Sequence, residues 1–491
     1  MTDTAAPPRS LSATVKIPAR SLGLKLLLVC ALALLMTIPA LFVFGLLSER
    51  THRADQVSNE IGALVGGPQT FLGPVIAVPW SAPPDKAGGD PKRGEWLIYP
   101  ITGRADLNTK ASVRRRSLFE VPVYEADIRY QAHFDPAAAM QAAKDSGITL
   151  DWTHAEFLTG ASDARGAHSD VVLSVDGHSY SLSPAAIAAD VQLGGPDNPN
   201  PNLLLDHSYP HSAALTLFGM AAGSFVNPAQ PLDVSGSMTF SGARRVGVLA
   251  FAKTTEIAVT GNWASPSFDG AFLPASRGVA GSRSNDGKAP AKGFTAHWVV
   301  PFIARGLPAQ TSFDSLGKLG GAEVGVTFVE PANPYQSVGR SLKYALLFVG
   351  LVFLAYFMFE TTTGKRVHPA QYVLIGLAQI IFYLLLLSIS EHVGFDYGFL
   401  IAAGATVGLI SAYAGWVFES RLQGLRALGA FSLLYALIYV LMRLEDYALL
   451  VGALSSFIAI ALVMYFTRRV DWYGATRTIA ALTPAPSEDP A

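Results

Sequence analysis

Of the 491 residues, 50% are hydrophobic and only 15% charged, which is too apolar for an ordinary soluble enzyme, where about a quarter of residues carry charge. With 36 basic and 37 acidic side chains the net charge is -1, so nothing points to a nucleic-acid partner. The single cysteine, Cys30, excludes an intramolecular disulfide framework and a CxxC metal site.

Residues 1–21 are expected to be a cytoplasmic tail. The run "LGLKLLLVCALALLMTIPALFVFGLL" (22–47) then exceeds the roughly 20 residues that cross a hydrocarbon core. A cleaved signal peptide has an apolar region of only about 7–15 residues, followed by a small-residue site that "GLLSERTHR" does not offer, so an uncleaved spanning helix is expected. Pro39 is expected to kink it.

Residues 48–340 read as a β-rich, sandwich-like domain. In "YEADIRYQAHF", Tyr124, Ala126, Ile128, Tyr130, Ala132 and Phe134 alternate with Glu125, Asp127, Arg129, Gln131 and His133, the pattern of a strand with one buried face. "KTTEIAVTGNW" repeats it, with Ile257, Val259 and Trp263 opposite Ala258, Thr260 and Asn262. Glycine and proline punctuate many such segments, which favours antiparallel over parallel architecture. A helix is predicted over 135–147, with Asp135 as N-cap, Pro136 at the first helical position and Gly147 at the end. The stretch 275–293 has no apolar period and is expected to be a mobile loop.

Five further spans are predicted at about 341–359, 371–390, 397–418, 424–442 and 447–466, forming a bundle over 341–466 before a C-terminal tail at 467–491. The fold class is therefore α+β, with six transmembrane helices (1+5) and the β-rich domain inserted after the first. Basic residues fall in the N-terminal tail (Arg9, Lys16, Arg20), beside Lys365 and Arg366, beside Arg421 and Arg426, and at Arg468 and Arg469. The alternate connections "EHVGFD" and "RLED" hold only Arg443. The positive-inside rule then puts both termini in the cytoplasm and 48–340 in the periplasm.

The chain resembles the CreD family of bacterial inner-membrane proteins, also called cell envelope integrity proteins. The resemblance is carried by "IGALVGGPQTFLGPVIAVP" (61–79), "SDARG" (162–166), "TGNWASPSFDGAFLP" (260–274), "GFTAHW" (293–298), "FETTTGKRVHPAQYVLIGLAQIIFYLLLLSISEHVGF" (359–395) and "TRRVDWY" (467–473). It implies an inner-membrane protein associated with envelope maintenance and, in some bacteria, with colicin tolerance or the response to β-lactams. It supplies no catalytic residues.

Within the spans, Lys25, Lys343, Glu360 and Glu419 fall near predicted ends, where they snorkel or cap. Gln379 is the clearest mid-membrane polar side chain, read as a helix-to-helix hydrogen bond. The small residues of "GFLIAAGATVG" (398–408) suit close helix packing. At the outer end of the third span, Glu391 and His392 precede Asp396. Neighbours on a helix do not face one another, so polar capping or docking against the exported domain is favoured over acid/base or metal chemistry. Ser388 and His392 share a face if the helix continues, which leaves a hydrolase as the third reading. Asp163 and Arg165 of "SDARG" are read as turn residues forming a local ion pair. Asp206, His207 and His211 are read as a solvated loop rather than a metal site. The leading function is a non-enzymatic envelope protein recognising an envelope component, protein or lipid, with no cofactor or metal. The second reading is lipid handling or transport by the helix bundle.

Overall fold

The computed structural model describes residues 22–84, 89–116, 118–185, 191–194, 214–281, 292–329, 334–443 and 448–468. Both expected tails, 1–21 and most of 467–491, lie outside these residues, as do Asp206, His207 and His211. The chain divides into two compact units, Met1–His52 with Ala332–Ala491, and Arg53–Pro331. Ten α-helices are described: α1 Leu22–Leu35, α2 Thr37–Val65, α3 Pro136–Asp145, α4 Phe302–Arg305, α5 Pro334–Lys343, α6 Ala345–Thr363, α7 Pro369–Val393, α8 Phe395–Val417, α9 Arg421–Arg443 and α10 Ala448–Thr467.

Among the described residues, five helical segments are long and apolar enough to cross a membrane: Gly23–Val65, α6, α7, α8 and α9. The 20-residue α10 occupies the place of the last expected span. The first segment breaks at Met36, between α1 and α2. Pro39 has no N–H to donate to the carbonyl of Leu35 four residues earlier, and its ring crowds that oxygen, so the interruption falls just before the proline's own turn.

The helix does not stop at 47 as expected but runs to Val65. Val57 and Ile61, four residues apart, lie on one helical face and pack with Val121, Val123 and Ala243, which holds the polar continuation in place. Gly66 (φ 94) and Gly67 (φ 62) then turn the chain through the left-handed region, which glycine adopts without a Cβ clash.

The second unit is built on two sheets. In the first, Gln69–Ala82 is buried at each of its first ten positions, covered on both faces. It pairs in parallel with Arg245–Leu249 and antiparallel with Lys92–Ile98, Thr149–Leu150 and Glu156–Ala161. The eight-stranded second sheet runs Ser276–Val279, Phe294–Val300, Thr254–Gly261, Thr102–Arg116, Phe119–Phe134, Leu232–Ala243, Val172–Val175 and His178–Ser181. Pairing in it is antiparallel except between Thr254–Gly261 and Thr102–Arg116.

The inner faces share one core. Phe71 of the first sheet meets Phe240 of the second edge-on at 5.4 Å, and Tyr130 meets Phe251 at 5.5 Å. The alternation read in 124–134 is present, with Ala126, Ile128, Tyr130 and Phe134 essentially inaccessible. Helix α3 begins as predicted, the Asp135 carboxylate accepting the Ala137 N–H at 3.2 Å with Pro136 at its first position. The expected loop at 275–293 is corrected where it is described, its centre at 282–291 lying outside the described residues. Ser276–Val279 forms an edge strand against Phe294–Val300, with backbone pairing replacing an apolar period as the ordering force.

Candidate functional site

The register of the second sheet lines up two polar rows on its outer face. Glu256 stands beside Arg104, Arg104 beside Gln131, Gln131 beside Ser235, and Ser235 beside Ser174. Two residues along each strand, Thr254 stands beside Thr102, Thr102 beside His133, and His133 beside Asp233. Because successive side chains alternate faces, both rows point away from the core. They line an open trough of about 690 Å³, which the turn residues Asp176 and Gly177 also border.

Most of its charges are paired. Arg104 donates to Asp106 at 2.8 and 2.9 Å and to Glu256 at 3.5 Å, and the Asp106 hydrogen bonds raise the guanidinium's pKa further. Across the strands, His133 Nδ1 lies 2.8 Å from Asp233. Carboxylates, guanidinium, imidazole, amide and hydroxyls together present donors and acceptors over five strands, with no aromatic or large aliphatic lining except Val234. Such a surface suits a hydrated, extended polar ligand. The alternation in 124–134 had exposed one strand of this face, but its neighbours come from segments over a hundred residues away.

The residues singled out from sequence do not form one centre. Glu391 accepts the Tyr335 hydroxyl at 3.0 Å and lies 4.0 Å from the Arg50 guanidinium. Both partners belong to the same compact unit as Glu391, and both fall near the ends of the 48–340 segment read from the sequence. His392 is exposed in the last turn of α7, as is Ser388 four residues earlier. Asp396 pairs instead with Arg443 and accepts the Tyr439 hydroxyl at 3.0 Å. Gln379 is fully buried, yet its amide nitrogen and oxygen find no partner among the described residues, so the expected interhelical hydrogen bond is not made.

Asp163 and Arg165 do pair, at 2.6 Å, and the Asp163 carboxylate caps the Arg165 N–H at 2.9 Å. Burial pushes the Asp163 carboxyl up, but the Arg165 contacts outweigh it and hold it below the usual carboxylate value. The motifs "IGALVGGPQTFLGPVIAVP" and "SDARG" also meet. Gln69 Nε2 donates to the carbonyls of Gly66 and Asp163, each at 2.9 Å, while its Oε1 accepts the Ser162 hydroxyl at 3.1 Å and the Asp163 N–H at 3.2 Å. A Cβ on Gly66 would stand 2.8 Å from Gly166 Cα, so the motifs fix a backbone approach.

Sequence reasoning missed a second, partly buried network. Arg245 donates to Asp269 at 2.8 Å and to Glu323 at 2.5 Å, while Thr70 and Thr327 donate to the same two carboxylates. Burial alone would lower the Arg245 pKa, but the two acids outweigh it and keep the guanidinium charged. Its residues lie on four strands far apart in sequence.

A bundle of apolar spanning helices joined in one chain to a large two-sheet module defines an integral membrane protein with a substantial domain outside the spans. The chain belongs to the CreD family: the family profile described as "Inner membrane protein CreD" matches residues 21–473. It is 29% identical over 448 residues to inner membrane protein CreD of Escherichia coli (strain K12), covering 90% of this chain and 91% of that protein.

Proposed function

We propose that this protein supports envelope integrity as a non-enzymatic inner-membrane protein, with the β-rich unit in the periplasm and the polar trough as its recognition surface. The carrying observation is the pair of polar rows held in register, one across five strands and one across four, a preformed extended array of donors and acceptors. Rigid sheet positions hold such an array with little ordering cost on binding. The orientation rests on the basic residues that flank alternate ends of the spans. The trough's partner is an extended envelope polymer or peptide that reads hydrogen bonds rather than apolar area.

The test is a photo-crosslinking amino acid at Gln131, inside the trough, against one at Lys110, on the same strand face but outside it. In living cells a discrete adduct is expected at 131 and absent at 110. Equal or absent adducts at both positions would count against the trough.

A further inference from the structure

In the helical unit, α8 and α9 border a groove of about 690 Å³, within the range of small-molecule sites (about 300–1,000 Å³). Its lining includes the small residues Ala403, Gly404 and Ala436 and the aliphatic Leu400, Val407 and Leu428. Gly404 is not spent on helix packing: a Cβ there would meet nothing within 4 Å. By contrast a Cβ on Gly398, one turn and a half earlier, would stand 2.9 Å from the Ser390 backbone of α7. Leu400 is 70% exposed and lies on a helix of spanning length in an inner-membrane family, so the groove opens toward lipid.

Two features select an occupant. The lining runs from Asp396 to Val407 on α8 and from Leu428 to Tyr439 on α9. At 1.5 Å per residue each is about 16 Å, close to half of a hydrocarbon core of roughly 30 Å, so the groove is about as deep as one leaflet. Its end at the α7–α8 turn is polar. There Tyr439 and Arg443 both donate to Asp396 Oδ1, Arg443 Nε lies 3.4 Å from the Tyr439 hydroxyl, and Asp396 and Arg443 are each about half exposed. A carboxylate and a guanidinium side by side at headgroup level complement a headgroup carrying an ammonium and a phosphate.

We propose that the α8–α9 groove holds one acyl chain of a phospholipid whose headgroup bears a phosphate and a primary ammonium, the phosphate on Arg443 and the ammonium on Asp396. A primary ammonium donates hydrogen bonds to the carboxylate, whereas a quaternary one has none to give. The site therefore distinguishes ethanolamine from choline headgroups, and the carboxylate disfavours anionic lipids that lack the ammonium. This site stands independently of the trough and of the side of the membrane on which the β-rich unit lies.

The test uses the full chain reconstituted in nanodiscs with equal amounts of phosphatidylethanolamine, phosphatidylcholine and phosphatidylglycerol, then released into mild detergent for native mass spectrometry. One phosphatidylethanolamine is expected to remain, at least fivefold over either other lipid. Ala436→Trp and, separately, Gly404→Trp fill the groove and are expected to abolish retention. Asp396→Asn is expected to bring the ethanolamine-to-choline ratio to about one, and Arg443→Gln to lose all three lipids. Unchanged elution and unfolding midpoints certify the variants as folded, and Asp396→Asn, a surface change, supplies the reading if either tryptophan variant fails. Headgroup-blind retention, retention unaffected by filling the groove, preference for phosphatidylglycerol, or a lipid-free dimer occupying this face would each overturn the proposal.

Discussion

Lys25 on α1 and Glu360 on α6 form an ion pair although 335 positions of chain separate them. The Glu360 carboxylate also accepts the Val367 N–H at 2.8 Å and the Tyr372 hydroxyl at 2.9 Å, and the Lys25 ammonium reaches the Val367 carbonyl at 3.1 Å. One carboxylate thus ties the first helix to the connection between α6 and α7. Its side chain is 8% exposed and that of Lys25 26%, so removing either leaves the other poorly solvated.

Breaking a buried pair costs about 3–5 kcal/mol, and partial exposure of Lys25 places this one toward the lower end. Glu360→Leu alone is therefore expected to lower the unfolding midpoint in detergent clearly, and Lys25→Met alone to lower it as well. The double variant Lys25→Met with Glu360→Leu is expected to recover part of that loss. Strictly additive losses in the double-mutant cycle would show that the pair is not coupled.

Gln379 carries two unpartnered amide groups in a fully buried position. Leaving a buried polar group unsatisfied costs about 1–3 kcal/mol, so Gln379→Leu, of similar volume, is expected to stabilise the bundle by about 1–2 kcal/mol and to keep function. Loss of complementation at normal abundance and unchanged unfolding would instead favour a transport role.

At the other end of α7, Glu391→Gln keeps an acceptor for the Tyr335 hydroxyl, and His392→Gln changes an exposed side chain. Both are expected to complement. Glu391→Leu removes the acceptor and should cost about 1–3 kcal/mol. Complete loss of complementation in both glutamine variants, at normal abundance and insertion, would point to acid/base or metal chemistry there.

In the first sheet Glu95 and Glu156 both have pKa values raised above the ordinary 4.5, Glu95 by burial and then by the nearby Glu156, and Glu156 by burial. Glu156 Oε2 is buried without a partner. A carboxyl raised on folding binds more protons in the folded state, so its contribution to stability is full below the ordinary 4.5 and is lost as pH rises through the folded value. Glu156→Gln is expected to stabilise the protein at pH 7 and to lose that advantage as pH falls below the ordinary 4.5, read from unfolding midpoints above and below that value. An advantage of equal size at both pH values would contradict the sign.

Much of the architecture was legible because its cause is local. Span length set the helices, strict alternation set the strand through Tyr124–Phe134, and Asp135 with Pro136 set the start of α3. The extension of α2 to Val65 was missed because Val57 and Ile61 sit in an otherwise polar run and acquire partners from distant residues, Val121, Val123 and Ala243. The trough was legible in one strand only. Its rows depend on Thr254–Gly261 lying parallel to Thr102–Arg116, a pairing between strands far apart in sequence that no local period encodes. Lys25 and Glu360 each read as a helix-end charge, and only tertiary structure makes them partners.

Recognition of an envelope component requires the β-rich unit to lie on the periplasmic side, and thiol accessibility tests that most directly. In a Cys30→Ala background, Asp286→Cys reports on the unit and Arg366→Cys on the connection between α6 and α7. A membrane-impermeant thiol reagent is expected to label position 286 in intact spheroplasts and position 366 only after the membrane is opened. Labelling of 366 in intact spheroplasts, with 286 protected until lysis, would contradict the account.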